Sequence, residues 1–346
     1  MIIYKYYGDF LYGINIYDND NEDKTNTNLE LIINNFNNYL CYFQITENNN
    51  SNFLYNDLKI SYEDFPWRTY IKLNNDLFQK KVITKKYAWI HWKVLGKKEE
   101  RSFSCINNSN IHCGRFGNIF FINMYLNFMA FKYDLKCSYK YEKMFNKLGV
   151  RFKHGHQIYK VNALVHDYNF MYTLKDQITP CNLIIGDCWF HTNDFCQMIY
   201  SYFKNKKYKH FVKSANKYKK RYKKNNDLFI HLRLGDVIDY NDHKDMYTRI
   251  CEKINNITYN KGYISSDTIT CKLSQELIKK YNLNIINYNE IETIQFGSTC
   301  NNIIMSGGTF SWMIGLFAFY STTVFYLDLK NKWYGDIFNN PKWQKI

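Results

Sequence analysis

The sequence predicts an α/β protein whose main sheet is mostly parallel. Beyond residue 110, short apolar runs alternate with longer segments in which apolar residues recur every three or four positions. These are the patterns of buried strands and amphipathic helices, and their alternation is typical of parallel sheets. Polar residues directly follow several of the apolar runs, which predicts a ligand site at one edge of that sheet.

The strands and helices can be assigned from these runs. Residues 106–225 form one predicted α/β domain, with a strand at Leu183–Ile185 and helices at Ile119–Tyr133 and Asp194–Phe203. The basic segment Lys204–Lys224 is predicted to be an amphipathic connecting helix, because Phe211, Val212, Ala215 and Tyr218 share one stripe. In a second predicted domain, residues 226–346, the strands lie at Leu228–Leu232, 261–267, 282–288, 301–305 and 322–329, with helices at Lys244–Ile254, Leu273–Tyr281 and after residue 308.

Residues 1–105 differ in texture and are predicted to be a strand- and loop-rich extension of unknown role. Strands are predicted at Ile2–Tyr7, Tyr39–Thr46 and Thr69–Leu73, separated by Asn- and Asp-rich loops. A partial 3.6-residue stripe favours a helix at Asn28–Leu40. This part of the chain contains no chemical motif.

Composition limits the classes of protein that the chain can be. With 46% hydrophobic and 19% aromatic residues in a length of 346, general disorder is excluded and two domains with proper cores are expected. The formal net charge of +15 indicates either an anionic partner or lysines spread over a solvated surface, and charge alone does not separate the two.

Cysteine usage and the first residues predict a cellular location. The ten cysteines include no Cys-x-x-Cys pair, and the opening residues lack the pattern of a secretory signal. We therefore expect free thiols and a cytoplasmic protein. The stretch from Thr293 to Leu327 carries no charge, but Ser306, Gly307 and Gly308 interrupt it. Buried strands around a glycine turn and a helix are predicted there, and not a membrane span.

Three polar clusters fall at the carboxyl ends of predicted strands: 231–236, 265–267 and 306–311. The carboxyl ends of parallel strands meet at one edge of a sheet, where ligands bind. We therefore expect these clusters to lie close together.

The third cluster has the residue types of a phosphate site. Gly307 and Gly308 allow a ligand to approach the backbone, and a helix that begins near Thr309–Ser311 presents free N–H groups. Thr309 and Ser311 add hydroxyl donors. The alternative is an ordinary capped helix after a tight turn.

The first two clusters add a cation and a carboxylate. Arg233 offers a planar fork of donors that suits a phosphate, whereas Asp236 is better placed to hold its own loop. His231 is either a core histidine with a satisfied hydrogen bond or part of the site. Ser266 and Asp267 would suit a ribose or a guanine edge.

No metal is expected. Cys181, Cys188, His191 and Cys196 cluster in the sequence, but their spacing matches no familiar zinc pattern. No Asp-x-Asp stands where it would hold a metal-bound diphosphate, so Arg233 and the helix terminus would have to meet that charge.

Taken together, these segments resemble the fucosyltransferases. "IHLRLGD" is similar to the His-x-Arg-Arg-x-Asp box of α-1,2-, α-1,6- and protein O-fucosyltransferases, and "CNNIIMSGGTFSWMIGLFAFYSTTVFYL" resembles the α-1,2-fucosyltransferase signature. "GRFGNIFFINMYLNFMAFKYDLK" is similar to the first motif of that family, and "IIGDCWFHTNDF" lies where the family has a Gly-aromatic-Gln-Ser stretch. The resemblance covers about residues 110–329. Leu234 stands where the box has its second arginine, so the box alone does not fix the linkage.

The resemblance implies a GT-B architecture, in which two Rossmann-like domains face a cleft and the carboxyl-terminal one holds GDP-fucose without a metal. Arg233, Thr309, the Phe310 backbone and Ser311 would then contact the β-phosphate. His231 and Asp236 would shape the loop, and Ser266 and Asp267 would read the nucleoside. Gly117 and Asn118 would face the diphosphate or the acceptor from the other domain.

The acceptor would be a galactose-type glycan, and its proton would need a base. Asp239, Asp242, His243 and Asp194 are candidates, and the sequence does not choose among them. Two alternative functions stay open. One is a nucleic-acid-binding protein that uses Lys204–Lys224, and the other is a catalytically silent sugar-binding relative. Nucleic acid is not the expected partner, because such a protein would not need the three polar clusters at the strand ends. The oligomeric state cannot be read from the sequence.

Overall fold

The computed structural model describes residues 2–7, 10–15, 107–109, 114–159, 162–175, 180–185, 188–235, 243–329 and 337–346, together with residues 62, 67, 70, 71, 74, 76–79, 82, 84–96 and 99. The described residues fall into two compact units. The amino-terminal unit takes its residues from 1–113, 122–140 and 152–190, and the sheet unit takes its residues from 114–121, 141–151 and 191–346. The predicted domain boundaries after residues 105 and 225 stay a prediction.

The amino-terminal unit begins with an antiparallel hairpin, β1 (Ile2–Tyr7) and β2 (Phe10–Asn15), which confirms the first predicted strand. Two helices follow, α1 (Asp76–Gln79) and α2 (Lys85–His91), and α2 continues into a π-helical turn. The strand predicted at Thr69–Leu73 is wrong, because Tyr70 and Ile71 are helical. Tyr70 is fully buried in a small core with Leu77, Ala88 and Trp92. The aromatic character that suggested a strand therefore reflects packing between helices. The predictions for Tyr39–Thr46 and Asn28–Leu40 lie outside the described residues.

The same unit contains a parallel pair of strands. These are β3 (Asn162–Val165) and β4 (Asn182–Ile185), and the short helix α5 (Phe170–Lys175) lies between them in the chain. Strand β4 confirms the run predicted at Leu183–Ile185, while β3 and α5 are too short to give a clear sequence pattern. Tyr125, from the long helix α3 (Phe116–Tyr133), stacks on Phe190 with ring centroids 4.5 Å apart.

Several helices of the sheet unit precede its sheet: α4 (Glu142–Lys147), α6 (Asn193–Lys204) and α7 (Lys206–Ala215). The basic segment is therefore not the single helix predicted from its stripe. Asn205 separates α6 from α7, because its side chain accepts a hydrogen bond from the N–H of Lys207 at 2.9 Å and begins a new helix. Tyr218 lies beyond the end of α7, next to a 3₁₀ turn at Lys219–Arg221.

The sheet itself has six parallel strands: β5 (Leu228–Leu232), β6 (Gly262–Ser266), β7 (Asn284–Ile285), β8 (Asn302–Met305), β9 (Thr323–Tyr326) and β10 (Gln344–Lys345). Their spatial order is β7-β6-β5-β8-β9-β10. This is the strand order of a Rossmann-type sheet, in which the chain direction across the sheet reverses between the first and fourth strands, here β5 and β8. The parallel α/β fold predicted from the sequence is confirmed, and β10 was not predicted.

Four helices connect these strands: α8 (His243–Asn255), α9 (Lys272–Tyr281), α10 (Glu290–Gly297) and α11 (Gly308–Phe317). Strands β5 and β8 are buried along their whole length because they are central strands covered on both faces. Helix α11 is almost wholly buried, which explains its uniformly apolar sequence. Helix α10 was not predicted. Asn289 caps it by accepting from the N–H of Glu292 at 2.9 Å.

Two further predictions concern the described residues only. The seven cysteines described by the structure have free thiols, as expected. Within the described part of the chain, no helix combines the length and the apolar character needed to cross a bilayer.

Candidate functional site

The candidate site lies at the carboxyl ends of β5, β6 and β8. The register places His231 of β5 beside Ser265 of β6 and Met305 of β8, so the residues that follow these strands emerge at one edge. This edge includes the point between β5 and β8 where the strand order reverses, and ligands of such sheets bind there. The residues that form this site belong to the sheet unit.

His231 fixes the beginning of α11 to the end of β5. Its Nδ1 shares a hydrogen bond of 2.6 Å with Oγ of Ser311, and both residues are buried. Burial lowers the pKa of His231 to about 4, with a smaller effect of the nearby Arg233 charge in the same direction and an opposite effect of Asp267. The imidazole is therefore neutral at pH 7. Its burial and its bond to Ser311 agree with the first of the two predictions for this residue, a core histidine with a satisfied hydrogen bond.

The glycine turn before α11 leaves the amino terminus of that helix uncapped by a side chain. Gly307 and Gly308 have φ values of 133° and 78°, a region that favours glycine. Gly307 is the residue that precedes the helix, and no side chain supplies a capping hydrogen bond there. The first N–H groups of α11 therefore present a partial positive charge at this edge, and the alternative of an ordinary helix after a tight turn stays open.

Arg233 leaves β5 next to this turn. Its backbone N–H donates to Oγ of Ser306 at 2.7 Å, and the N–H of Ser306 donates to the carbonyl of His231 at 3.0 Å. These two bonds tie the loop after β5 to the loop after β8. The Arg233 side chain, which is 14% exposed, pairs with Asp267 of the loop after β6.

Asp267 organises the loop that carries Arg233. Its Oδ1 accepts from the N–H groups of Leu234 at 2.8 Å and Gly235 at 3.0 Å, and its Oδ2 accepts from the Arg233 guanidinium. Arg115 lies 3.6 Å from the same Oδ2. Burial by itself would raise the pKa of Asp267, but the two N–H groups and the Arg233 charge outweigh it, so the pKa is lowered and the carboxylate is ionised at pH 7.

The two arginines and Asp267 give this edge its charge. Two guanidinium groups around one carboxylate leave one net positive charge, to which the amino terminus of α11 adds. Such a combination attracts an anion, and a phosphate oxygen can accept from both a guanidinium and backbone N–H groups.

The first turn of α3 packs on the first turn of α11. The hydroxyl of Thr309 donates to Oδ1 of Asn118 at 2.6 Å. A Cβ atom at Gly117 would stand only 2.6 Å from Oγ1 of Thr309 and 2.7 Å from the backbone N of Phe310, so this approach requires glycine. The ring of Phe310 lies 5.1 Å from the imidazole of His231, measured between centroids.

The structure brings together most of the residues predicted for the site. These are His231, Arg233, Asp267, Thr309, Phe310, Ser311, Gly117 and Asn118. Ser266 ends β6, and its Oγ accepts from the N–H of Thr268 at 3.0 Å. Asp236, Asp239 and Asp242 lie outside the described residues.

The other two candidate bases lie at the beginnings of helices, Asp194 in the first turn of α6 and His243 at the start of α8. Both stay candidates. Sequence reasoning missed Arg115, although it stands in the same "GRFGN" segment as Gly117, and a basic residue in a glycine-containing loop was the available signal.

The described residues also bear on metal binding. Among them, no group of three His, Cys, Asp or Glu side chains is gathered in a way that could hold a metal ion. Of the cysteines considered for zinc, Cys188 donates from its thiol to Oδ1 of Asp167 at 3.2 Å. Burial raises the pKa of Cys181 to about 11, so that thiol is protonated at pH 7.

Comparison with known proteins gives no relative for this chain. No family model, no curated protein and no solved structure matches it.

Proposed function

We propose that this protein is an inverting glycosyltransferase of the GT-B type that transfers fucose from GDP-fucose to a sugar hydroxyl. The single observation that carries the proposal is the hydrogen bond that ties the backbone of Arg233 to Ser306, just before the glycine turn of α11, at the reversal point of a Rossmann-type sheet. The parallel pair β3–β4 in the amino-terminal unit supports the presence of a second Rossmann-like domain. A galactose-type acceptor and an α-1,2 linkage are the narrower form of the proposal.

In this reaction an oxygen of the acceptor attacks C1 of fucose while the bond from C1 to the β-phosphate oxygen breaks. Negative charge develops on the departing GDP, and the sugar ring becomes oxocarbenium-like. In the proposed reaction, the Arg233 guanidinium and the N–H groups at the start of α11 bind that departing diphosphate, and the hydrogen bond between the two loops supports this role. No metal takes part in the proposed reaction, and the acceptor proton passes to one of Asp239, Asp242, His243 or Asp194.

The contacts of Asp267 assign it a supporting role in this scheme. Its carboxylate holds the backbone at Leu234 and Gly235 and pairs with Arg233, so it fixes the loop on which the arginine stands. The bound diphosphate would share Arg233 with Asp267, and the exposed Arg115, whose side chain is 60% accessible, adds a second cation at the same place. Whether Asp267 also reads the nucleoside stays a prediction.

His231 supports the other half of the diphosphate site. Because it is neutral and buried, it holds Ser311 without adding a charge to the donor. The hydrogen bond from Thr309 to Asn118 fixes the neighbouring hydroxyl in the same turn. Both bonds hold α11 so that its N–H groups do not have to reorganise when charge develops.

The proposal is tested by measuring GDP release from GDP-fucose with a panel of galactose-terminated acceptors. We expect turnover by the native protein and a loss of about a hundred- to a thousandfold in Arg233→Ala, because one donor to the departing charge is removed. Arg151→Ala is the matched control: Arg151 is exposed in the same unit, with its guanidinium carbon 4.5 Å from the Phe211 ring centroid. Near-native turnover by Arg233→Ala would refute the role of this arginine.

A second candidate is a sugar-binding relative without turnover. Leu234 favours this candidate. It stands where the fucosyltransferase box has its second arginine, and its side chain is buried in the core. Binding of GDP-fucose with no GDP release on any acceptor would support this candidate and contradict the first.

A further inference from the structure

A second basic surface lies in the sheet unit, away from the candidate site. The segment Lys204–Lys224 contains eleven Lys and Arg residues and no Asp or Glu. Its lysines line two pockets, of about 420 Å³ and about 280 Å³. We call this surface the lysine surface, and its basic residues are Lys204, Lys209, Lys213, Lys219, Lys220, Lys223, Lys224 and Lys342.

Aromatic rings form the floor of the lysine surface and connect its pockets. The ammonium groups of Lys209, Lys213 and Lys223 lie 4.6 Å, 5.6 Å and 5.0 Å from the centroid of the Tyr320 ring. Lys209 also lies 5.3 Å from the ring of Phe319, which lines the larger pocket. The two pockets therefore adjoin through these residues.

The charges gathered there lack a compensating acid. Of the described residues that line the two pockets, none is Asp or Glu. Cation–π contacts to one tyrosine ring do not cancel the positive charge of three ammonium groups. The lysine surface is therefore complementary to a polyanion.

The lysine surface and the candidate site lie at opposite ends of α11. Gly315 and Leu316 of its last turn and Thr322, just before β9, line the larger pocket. The candidate site is at the first turn of the same ten-residue helix, about 15 Å away along its axis. The charge at this surface is thus not explained by the proposed donor site.

The shape of the surface favours a nucleic acid over a membrane. A membrane surface binds protruding apolar side chains, but among the described residues none of the exposed large hydrophobic side chains lies in Lys204–Lys224. Val212 of α7 is buried, and Phe319 and Tyr320 are half-buried beneath lysines. A basic groove with aromatic rings at its floor is the arrangement that binds single-stranded nucleic acids, through phosphates and stacked bases. We propose that the lysine surface binds single-stranded nucleic acid.

The test is fluorescence anisotropy with a labelled single-stranded oligouridine, titrated at several salt concentrations. The triple variant Lys209→Gln/Lys213→Gln/Lys223→Gln removes the cations around Tyr320. The control triple is Lys261→Gln/Lys272→Gln/Lys279→Gln, which removes the same charge from exposed lysines just before β6 and on α9. Each phosphate contact contributes about 0.7 to the slope of log affinity against log salt, so the first triple should lower the slope by about 2 and weaken binding about tenfold or more.

Several outcomes would overturn the proposal. These are absence of oligouridine binding at low salt, an equal loss in both triples, or lysine-dependent sedimentation with phosphatidylserine vesicles without oligouridine binding. If thermal unfolding shows that the first triple does not fold, Lys220→Gln/Lys224→Gln on the smaller pocket replaces it, and unchanged binding then counts against the proposal. GDP release by the folded variants should equal that of the native protein. A loss of oligouridine binding can therefore be told apart from a failure of the proposed transferase function.

Discussion

Lowering the pH should destabilise the fold through His231. In the folded protein the imidazole is buried, bonded to Ser311 and neutral, and its pKa is lowered to about 4. In the unfolded chain the pKa of histidine is about 6.5. As the pH falls from about 7 to 4, the unfolded state therefore binds a proton that the folded state does not bind, and the free energy of unfolding decreases.

The size of this effect follows from the two pKa values. One pKa unit corresponds to about 1.4 kcal/mol, so a difference between about 6.5 and about 4 amounts to about 3 kcal/mol. Burial is the main cause, and the nearby charges of Arg233 and Asp267 act in opposite directions. A loss of this size is a large part of the 5–15 kcal/mol that stabilises a typical domain, about a fifth or more.

The assay is urea unfolding at a series of pH values for the native protein and for His231→Gln. The variant should lose about 3 kcal/mol less than the native protein between about pH 7 and pH 4, because glutamine has no proton to bind. His210→Gln is the control: this histidine is exposed on α7 and contacts Ser214. Equal losses in the native protein and His231→Gln, within about 0.5 kcal/mol, would refute the argument.

Three other substitutions test the site. Asp267→Asn should destabilise the fold by about 2 kcal/mol in urea unfolding, because charged hydrogen bonds to the Arg233 loop are lost; Asp245→Asn, from the exposed pair with Arg249, should cost under about 0.5 kcal/mol, and equal costs would contradict the assignment. Gly117→Ala should lower the melting temperature and weaken GDP binding in calorimetry, because a Cβ would stand 2.6 Å from Thr309 Oγ1. A native melting temperature together with native GDP affinity would contradict that packing. Trp312→Phe should cost about 1–3 kcal/mol in urea unfolding, since the carbonyl of Ile337 loses its 2.8 Å bond, and no loss would show that the bond contributes nothing.

Much of the sheet could be predicted because its central strands have a simple pattern. A central strand of a parallel sheet is covered on both faces, so β5 and β8 are mostly apolar, apart from His231 in β5 and Asn302 in β8, and a polar residue follows each strand. The same reasoning placed the polar clusters at one edge, and the contacts from His231 to Ser311 and from Arg233 to Asp267 confirm that they meet.

Other features depend on contacts that no local pattern records. Strand β10 has only two residues, both exposed, and exists through its pairing with β9. The role of Asp267 depends on backbone N–H groups more than thirty residues earlier in the chain. Asn205 is a different case, since an Asn before two lysines is a helix-capping signal that could have been read from the sequence.

The most direct test of the account is a crystal structure of the protein with GDP. We expect the β-phosphate to lie within about 3 Å of the Arg233 guanidinium and of the N–H groups of residues 309–311. A structure in which GDP binds elsewhere, or in which its phosphates touch neither the arginine nor the first turn of α11, would contradict it.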